Sequence, residues 1–399
     1  MPRLPEYVTP VDTGDGKRYE VRVHGARPDG ERFQFKRRFK TVRDAIAFHS
    51  EVTSGLSKKT YIAPSDLTLQ RAVDDWLVGQ RIRPNTRAAY VASLRPLVDA
   101  LGEKPVQAIT KRDIEHVVQD LLNGKSKMGS WNAPQIFKGK ETRAKWSASS
   151  INPMLARART VFGDLMAEGI VVRNVAALVK PIPTVKPEIN TLTAEQAAIL
   201  LASTDSHCYG VAWRLALLGL RRGEILALEW DGIDFEAGTL TIRAARLATP
   251  GGVTTAAPKT ESSKRVLPMP DELTAALRRA RRRQNEAKLQ MGSSWPNSGL
   301  VVVDDLGNPP YPTTLTVAWA TALENAGLPH VRLHDARHSC ATLMHLDGVP
   351  AVVIAAWLGH TDARFTLATY AHSNNDALAD AAVRIGAITN GAAAEGNLA

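Results

Sequence analysis

Sulfur chemistry is scarce in this chain: among 399 residues there are two cysteines, Cys208 and Cys340. Two thiols make neither a disulfide framework nor a cysteine-based metal site, and their scarcity suits a reducing cytoplasm. No apolar run reaches membrane length, and the opening segment MPRLPEYVTPVD is polar and proline-rich, so neither a span nor a signal peptide is expected. The chain has no Gly-rich phosphate loop, no H-E-x-x-H, no C-x-x-C pair and no acidic metal cluster. Nucleotide hydrolysis and two-metal nuclease chemistry therefore lack support. Internal repeats and low-complexity tracts are also missing.

What is present begins with ordinary folded-protein composition, 44% hydrophobic and 23% charged, in a chain long enough for two or three domains. Charge is unevenly spread. Residues 1–187 carry 32 Lys/Arg against 19 Asp/Glu, whereas residues 188–399 carry 18 against 21. A basic front ahead of a near-neutral body suggests that the front grips a polyanion.

Periodicity divides the front in two. In KRYEVRVHG, Tyr19, Val21 and Val23 alternate with Glu20, Arg22 and His24, the period of a strand. An Asp-Gly turn precedes a second alternating run through Phe33, Phe35 and Phe39, interleaved with Lys36, Arg37 and Arg38, which are candidate DNA contacts. Thr41 then caps a helix, with Asp44 three residues on. From residue 65 the apolar spacing becomes helical. Leu67, Leu69, Ala72, Val73, Trp76 and Leu77 follow helical spacing, a second helix follows Pro84, and a third runs from Thr110 to the Asn123-Gly124 stop. Another, SASSINPMLARARTVFGDLMAEG, precedes the linker PIPTVKP at 181–187. Arg81, Arg83, Arg87, Lys111, Arg112, Arg157 and Arg159 form a basic patch suited to phosphate. Residues 123–146 lack clean periodicity and set six Lys/Arg against one Glu, with Trp131, Phe137 and Trp146 between them.

Beyond residue 188 the chain offers chemistry. GLRRGE at 219–224 holds two adjacent arginines, and spacing alone does not choose between Arg221 and Arg222. Glu224 falls three residues after Arg221, in reach of it on a helix. A strand over 239–247 and another over 264–268 bracket Lys259, with Lys264 as the alternative lysine. Residues 271–292 read as a helix with a basic face at Arg278, Arg279 and Arg281–Arg283. LHDARH places His334 and Arg337 three apart, which a helix would turn to one side. A buried helix, AVVIAAWLGH, ends at Gly359 with His360 after it, and Tyr370 follows in FTLATYAH. Forked guanidiniums hold phosphate oxygens, imidazoles and an ammonium handle protons, and a phenol can attack phosphorus.

Taken in order, Arg221, Glu224, Lys259, His334, Arg337, His360 and Tyr370 resemble the motif set of the tyrosine recombinases, most closely the phage and mobile-element integrases. That resemblance selects Arg221 over Arg222, because the family's arginine directly follows Gly-Leu, and it makes His338 a structural histidine. Ala336 departs mildly from the leucine common before the second arginine. The resemblance implies a mostly α, multidomain chain. Residues 1–60 would be a small β-sheet-plus-helix arm-type DNA-binding domain and 65–180 a helical core-binding DNA domain. Residues 188–390 would be a mixed α+β catalytic domain, and 391–399 a flexible tail. It further implies double-stranded DNA attachment sites, a homotetramer on DNA, a DNA-bending protein and a directionality factor as partners, no cofactor or metal, no membrane, and a place in the bacterial cytoplasm near the nucleoid. The apolar stripe Ala377, Leu378, Ala381, Ala382 and Ile385 is expected to form a short helix that docks either on a neighbouring copy or back on its own domain. A type IB topoisomerase would use similar chemistry, and a non-catalytic DNA-binding regulator could share the fold.

Overall fold

The computed structural model describes residues 4–359, apart from 15, 27–31, 58–61, 63, 126–135, 138–139, 142–144, 185–188, 250 and 257–263. Its contacts divide the chain into two compact units, Met1–Lys186 and Pro187–Ala399.

The first unit opens with an antiparallel sheet ordered β1-β2-β3, made of β1 (Val8–Thr13), β2 (Gly16–Ala26) and β3 (Arg32–Phe39). Strand β1 was not expected from the proline-rich opening segment. Its Pro10 lies opposite Tyr19 on an edge strand, where a missing N–H costs least. Helix α1 (Val42–Ser57) starts where Thr41 Oγ1 accepts the Asp44 N–H at 3.1 Å. It packs on the sheet around Val8, Val21, Val23, Ala45 and Val52. The opposite register carries Glu20, Arg22, Lys36 and Arg38. Glu20 is almost fully covered there, with Arg22 at 2.9 Å, Arg38 at 3.0 Å and Lys36 at 3.2 Å. Arg38 first, then Arg22 and Lys36, outweigh burial and hold its carboxyl down to about 2.

Helices α2 (Leu69–Gly79), α3 (Pro84–Leu101), α4 (Lys111–Leu122) and α5 (Ala148–Ala167) form a bundle in the same unit. Thr110 and Asp113 make a reciprocal capping box at the start of α4, and Gly124 leaves its end at φ +67°. The core of the bundle includes Leu69, Val73, Leu94, Ile114, Leu155 and Phe162. A two-residue ladder of β4 (Ile136–Phe137) with β5 (Lys140–Glu141) lies in the aperiodic 123–146 segment.

The second unit contains α6 (Ala194–Ser203), α7 (Gly210–Leu217), α8 (Arg222–Leu226), α9 (Asp271–Met291), α10 (Pro312–Asn325), α11 (Ala336–Leu346) and α12 (Ala351–Leu358). Its core centres on Trp213 and Trp319, whose rings meet edge to face at 5.3 Å. A small sheet is ordered β10-β7-β6, from β6 (Ile233–Asp234), β7 (Thr239–Ile242) and β10 (Arg265–Pro268). A separate hairpin pairs β8 (Ala245–Thr249) with β9 (Gly252–Ala256).

The single strand expected over 239–247 is therefore two strands in two sheets, broken at residues 243–244. The hairpin is drawn onto α8 instead. A Cβ at Gly223 would lie 3.0 Å from the Arg246 carbonyl oxygen and 3.2 Å from Ala245 Cβ, so only glycine admits this approach without a shift. Among the described residues no helix is long and apolar enough to cross a membrane, and no cluster of His, Cys, Asp and Glu could hold a metal ion.

Candidate active site

Helix α7 ends in a turn at Gly219, where φ is +94° and a Cβ would sit 2.6 Å from Leu358 Cδ2. The chain can then enter α8 with Arg221 as its N-cap, in extended backbone. Glu224, in the first turn, accepts the Arg221 backbone N–H at 2.9 Å and the Arg221 Nη1–H at 2.7 Å. One carboxylate thus caps the helix and aims the arginine. Arg221 is not itself helical, so the pairing rests on cap geometry and not on the expected three-residue helical spacing. Arg222 turns elsewhere, donating to Thr316 Oγ1 at 2.8 Å.

Glu224 is 5% exposed, and a second arginine reaches it. Arg265, on β10, donates through Nη2 to Oε2 at 3.1 Å and through Nη1 to Oε1 at 3.3 Å. Burial alone would raise the Glu224 pKa, but Arg265 and Arg221 outweigh it and hold the carboxyl below its usual range. Sequence reasoning missed Arg265. Its signal was an inverted alternation: Arg265 and Leu267 point inward while Val266 is exposed.

Arg337 lies in the first turn of α11 and is 4% exposed. Its Nη1 donates to the Gly219 carbonyl at 2.6 Å and its Nη2 to the Leu358 carbonyl. Burial first, and the Arg221 charge next, push its pKa down to about 9, which leaves it cationic at neutral pH. His334 precedes α11 in a turn, not on the helix as the three-residue spacing suggested, because Asp335 is the N-cap. Arg332 fixes that turn by donating to both Asp335 oxygens, at 2.6 and 3.0 Å. His334 meets the His338 ring edge to face at 5.8 Å. Partial desolvation, then the Arg337 charge, lowers the His334 pKa from the ordinary histidine value, favouring neutral imidazole.

These side chains converge on the end of α12. Three successive carbonyls there each accept from a different arginine. Trp357 O takes Arg265 Nε–H at 2.8 Å, Leu358 O takes Arg337, and Gly359 O takes Arg221 Nη2–H at 3.2 Å. Trp357 Nε1–H donates back to the Leu218 carbonyl at 2.8 Å, tying the helix end to the α7 turn. The C-terminal carbonyls of a helix lack intrahelical partners and carry partial negative charge, so cations are favoured there. Gly359, at φ +67°, ends the helix. The next residue in sequence is His360, which with Lys259, Tyr370 and the apolar stripe from Ala377 to Ile385 lies outside the described residues.

The expected DNA-contacting residues divide. Lys36 and Arg38 keep about half their side-chain surface exposed while paired to Glu20. Arg37 lies over the rings of Phe39 and Phe48 at 5.5 and 5.4 Å. Arg81 and Arg83 are exposed between α2 and α3. Arg87 donates to the Leu77 carbonyl at 2.6 Å, and Arg159 to the carbonyls of Ala176 and Val179, so both brace the bundle. Arg157 sits over the Tyr90 ring at 4.5 Å. On α9, Arg279 donates to Asp205 at 2.7 Å and Arg278 lies over the Phe235 ring at 5.5 Å, so that basic face is partly engaged within its own unit.

Three arginines anchored at one helix end beside a histidine-bearing turn, on a mostly α multidomain fold, make up the candidate site. The chain is similar to tyrosine recombinases and integrases over most of its length. Residues 190–376 match the family model described as the phage integrase family. Among relatives, the chain is 27% identical over 358 residues to a "Tyrosine recombinase XerC-like" protein of Caldanaerobacter subterraneus subsp. tengcongensis, covering 84% of this chain and 86% of the relative. Its fold is similar to that of the Tn1549 transposon integrase solved with transposon right end DNA, with a TM-score of 0.64, 19% identity and coverage of 80% of this chain and all of that one. It is also similar to a lambda integrase tetramer bound to a Holliday junction, with a TM-score of 0.55, 18% identity and coverage of 92% and 96%.

Proposed function

We propose that the chain is an integrase that cuts and rejoins duplex DNA through a phosphotyrosine. The Tyr370 oxygen attacks a backbone phosphorus. A Tyr–O–P bond forms, the P–O5′ bond breaks, and a proton goes to the leaving 5′ oxygen. The DNA 3′ end stays on the protein and a 5′ hydroxyl is freed. Arg221 and Arg337 neutralise charge that grows on the non-bridging oxygens, Lys259 protonates the leaving oxygen, and His334 and His360 position the phosphate and move protons. The covalent bond conserves the phosphodiester energy, so the steps need neither ATP nor a metal ion. Attack by a partner's 5′ hydroxyl completes exchange through a Holliday junction.

The observation that carries this reading is the convergence of Arg221, Arg337 and Arg265 on the carbonyls of residues 357–359, one residue before His360. Preorganised guanidiniums, buried for Arg337 and Arg265 and half-buried for Arg221, suit a phosphorane-like transition state better than a ground-state anion. The basic surfaces support a division of labour. Residues 1–60 would hold arm-type sites through Lys36 and Arg38. Residues 65–180 and the 188–390 unit would hold the core site, with Arg81 and Arg83 as the exposed phosphate contacts. Four copies would assemble on paired attachment sites of phage or mobile-element and bacterial host DNA, in the cytoplasm. A DNA-bending protein and a directionality factor would assist. A nicked suicide substrate tests the reading: wild-type protein should become trapped on DNA, and failure to trap on any cognate site would refute the cleavage activity and favour a DNA-binding regulator.

A further inference from the structure

We infer that Arg265 is a positioning residue for strand cleavage, acting through Glu224 on Arg221 and through the Trp357 carbonyl on the chain that leads to His360. The inference rests on the proposed role of Arg221. Arg265 is a buried cation whose side chain is 7% exposed, so its donations to Glu224 and Trp357 are not surface decoration. Two go to the Glu224 carboxylate and one to the end of α12. Nothing else described on β10 reaches both places, and β10 is anchored by its ladder to β7, with Leu267 opposite Leu240 in the core.

Arg221 lies close enough to burden Arg337 with like charge, which disfavours holding both beside one phosphate. Glu224 offsets that repulsion, but an exposed carboxylate would be free to follow the arginine. Arg265 holds both Glu224 oxygens from behind, so the Arg221 fork is fixed from a rigid strand. Its Nε–H fixes Trp357 O within the same side chain. A planar fork meets three acceptors at once. A lysine ammonium, compact and on a flexible stem, does not.

The test uses full-length protein on nicked core sites of two kinds, one with an ordinary scissile phosphodiester and one with a methylphosphonate there. The methylphosphonate lacks one negative oxygen and so needs less cationic stabilisation. Arg221→Ala serves as reference, and Arg265→Gln and Arg265→Lys are compared by covalent-adduct rate, DNA affinity and thermal unfolding. Arg265→Gln should cleave the phosphodiester about 10²-fold more slowly, the loss typical of removing preorganised stabilisation. Arg265→Lys should recover only part of that. Both defects should shrink on the methylphosphonate in parallel with Arg221→Ala, while DNA affinity holds. Equal loss on both substrates would mean mere structural damage and overturn the inference, as would normal cleavage by Arg265→Gln. Normal phosphodiester cleavage by Arg221→Ala would instead remove the reading on which the inference stands.

Discussion

Arg337 donates to the carbonyl of Gly219, two residues before Arg221, so the two arginines of the candidate site share one turn. That turn exists only because residue 219 is glycine. Its φ of +94° disfavours any L side chain, and an added Cβ would meet Leu358 at 2.6 Å and the Cys340 sulfur at 3.3 Å. Gly219→Ala should destabilise the Pro187–Ala399 unit by roughly 1–3 kcal/mol through backbone strain alone, more with the clash. Thermal unfolding reads this directly; unchanged melting would show that the turn relaxes freely. Cleavage should fall with it, because the Leu358 carbonyl that also holds Arg337 is displaced.

Arg337→Lys tests the fork. The guanidinium spans Gly219 O and Leu358 O from one buried position. An ammonium cannot hold that geometry, and cleavage should drop by about 10²–10³-fold with little change in DNA affinity. Adduct formation within a few-fold of wild type would tell against the assigned role.

The two histidines of α11 and its approach give a pH dependence with a definite sign. Desolvation is the main cause lowering both His334 and His338. Unfolding returns them to about 6.5, so below that pH the unfolded chain binds more protons than the folded one. Stability from this source is complete above about pH 6.5 and is lost as pH falls through the depressed folded values. Denaturant midpoints between pH 7.5 and 5.5 should fall, and His338→Gln should flatten the slope. A stability that rises on acidification across this window, or an unaltered slope in the variant, would contradict the assignment.

Removing residues 1–60 should spare cleavage of a short core site and weaken recombination on full-length attachment DNA. The motive is the separate apolar core of this segment, with a basic opposite face built on Glu20, Arg22, Lys36 and Arg38. Normal recombination by the deletion on full-length sites would show that the sheet grips no arm DNA.

Much of the framework was readable because local chemistry and tertiary packing agree. Thr110 and Asn123-Gly124 bound α4 as their capping preferences dictate, and Leu69, Ala72, Val73 and Leu77 are the buried stripe of α2. What was hidden depends on contacts distant in sequence. Nothing local says that the chain leaves its sheet at residues 243–244, since that follows from Gly223 admitting β8. Arg159 reads as one more basic residue until its carbonyl partners, 17 and 20 positions away, are seen. Arg265 becomes meaningful only when β10 is laid beside α8 and the end of α12. The three-residue spacing of His334 and Arg337 suggests one helix, but Asp335 caps α11 and its first helical residue, Ala336, comes two residues after His334.

The central claim is that Tyr370 carries the DNA. Its most direct test is to trap the protein on a suicide substrate, digest the adduct and locate the nucleotide-bearing peptide by mass spectrometry. The account predicts a nucleotide joined through its 3′ phosphate to Tyr370, a free 5′ hydroxyl on the released strand, and no adduct from Tyr370→Phe despite normal DNA binding. A normal adduct in Tyr370→Phe, or a nucleotide attached to any other residue, would contradict it.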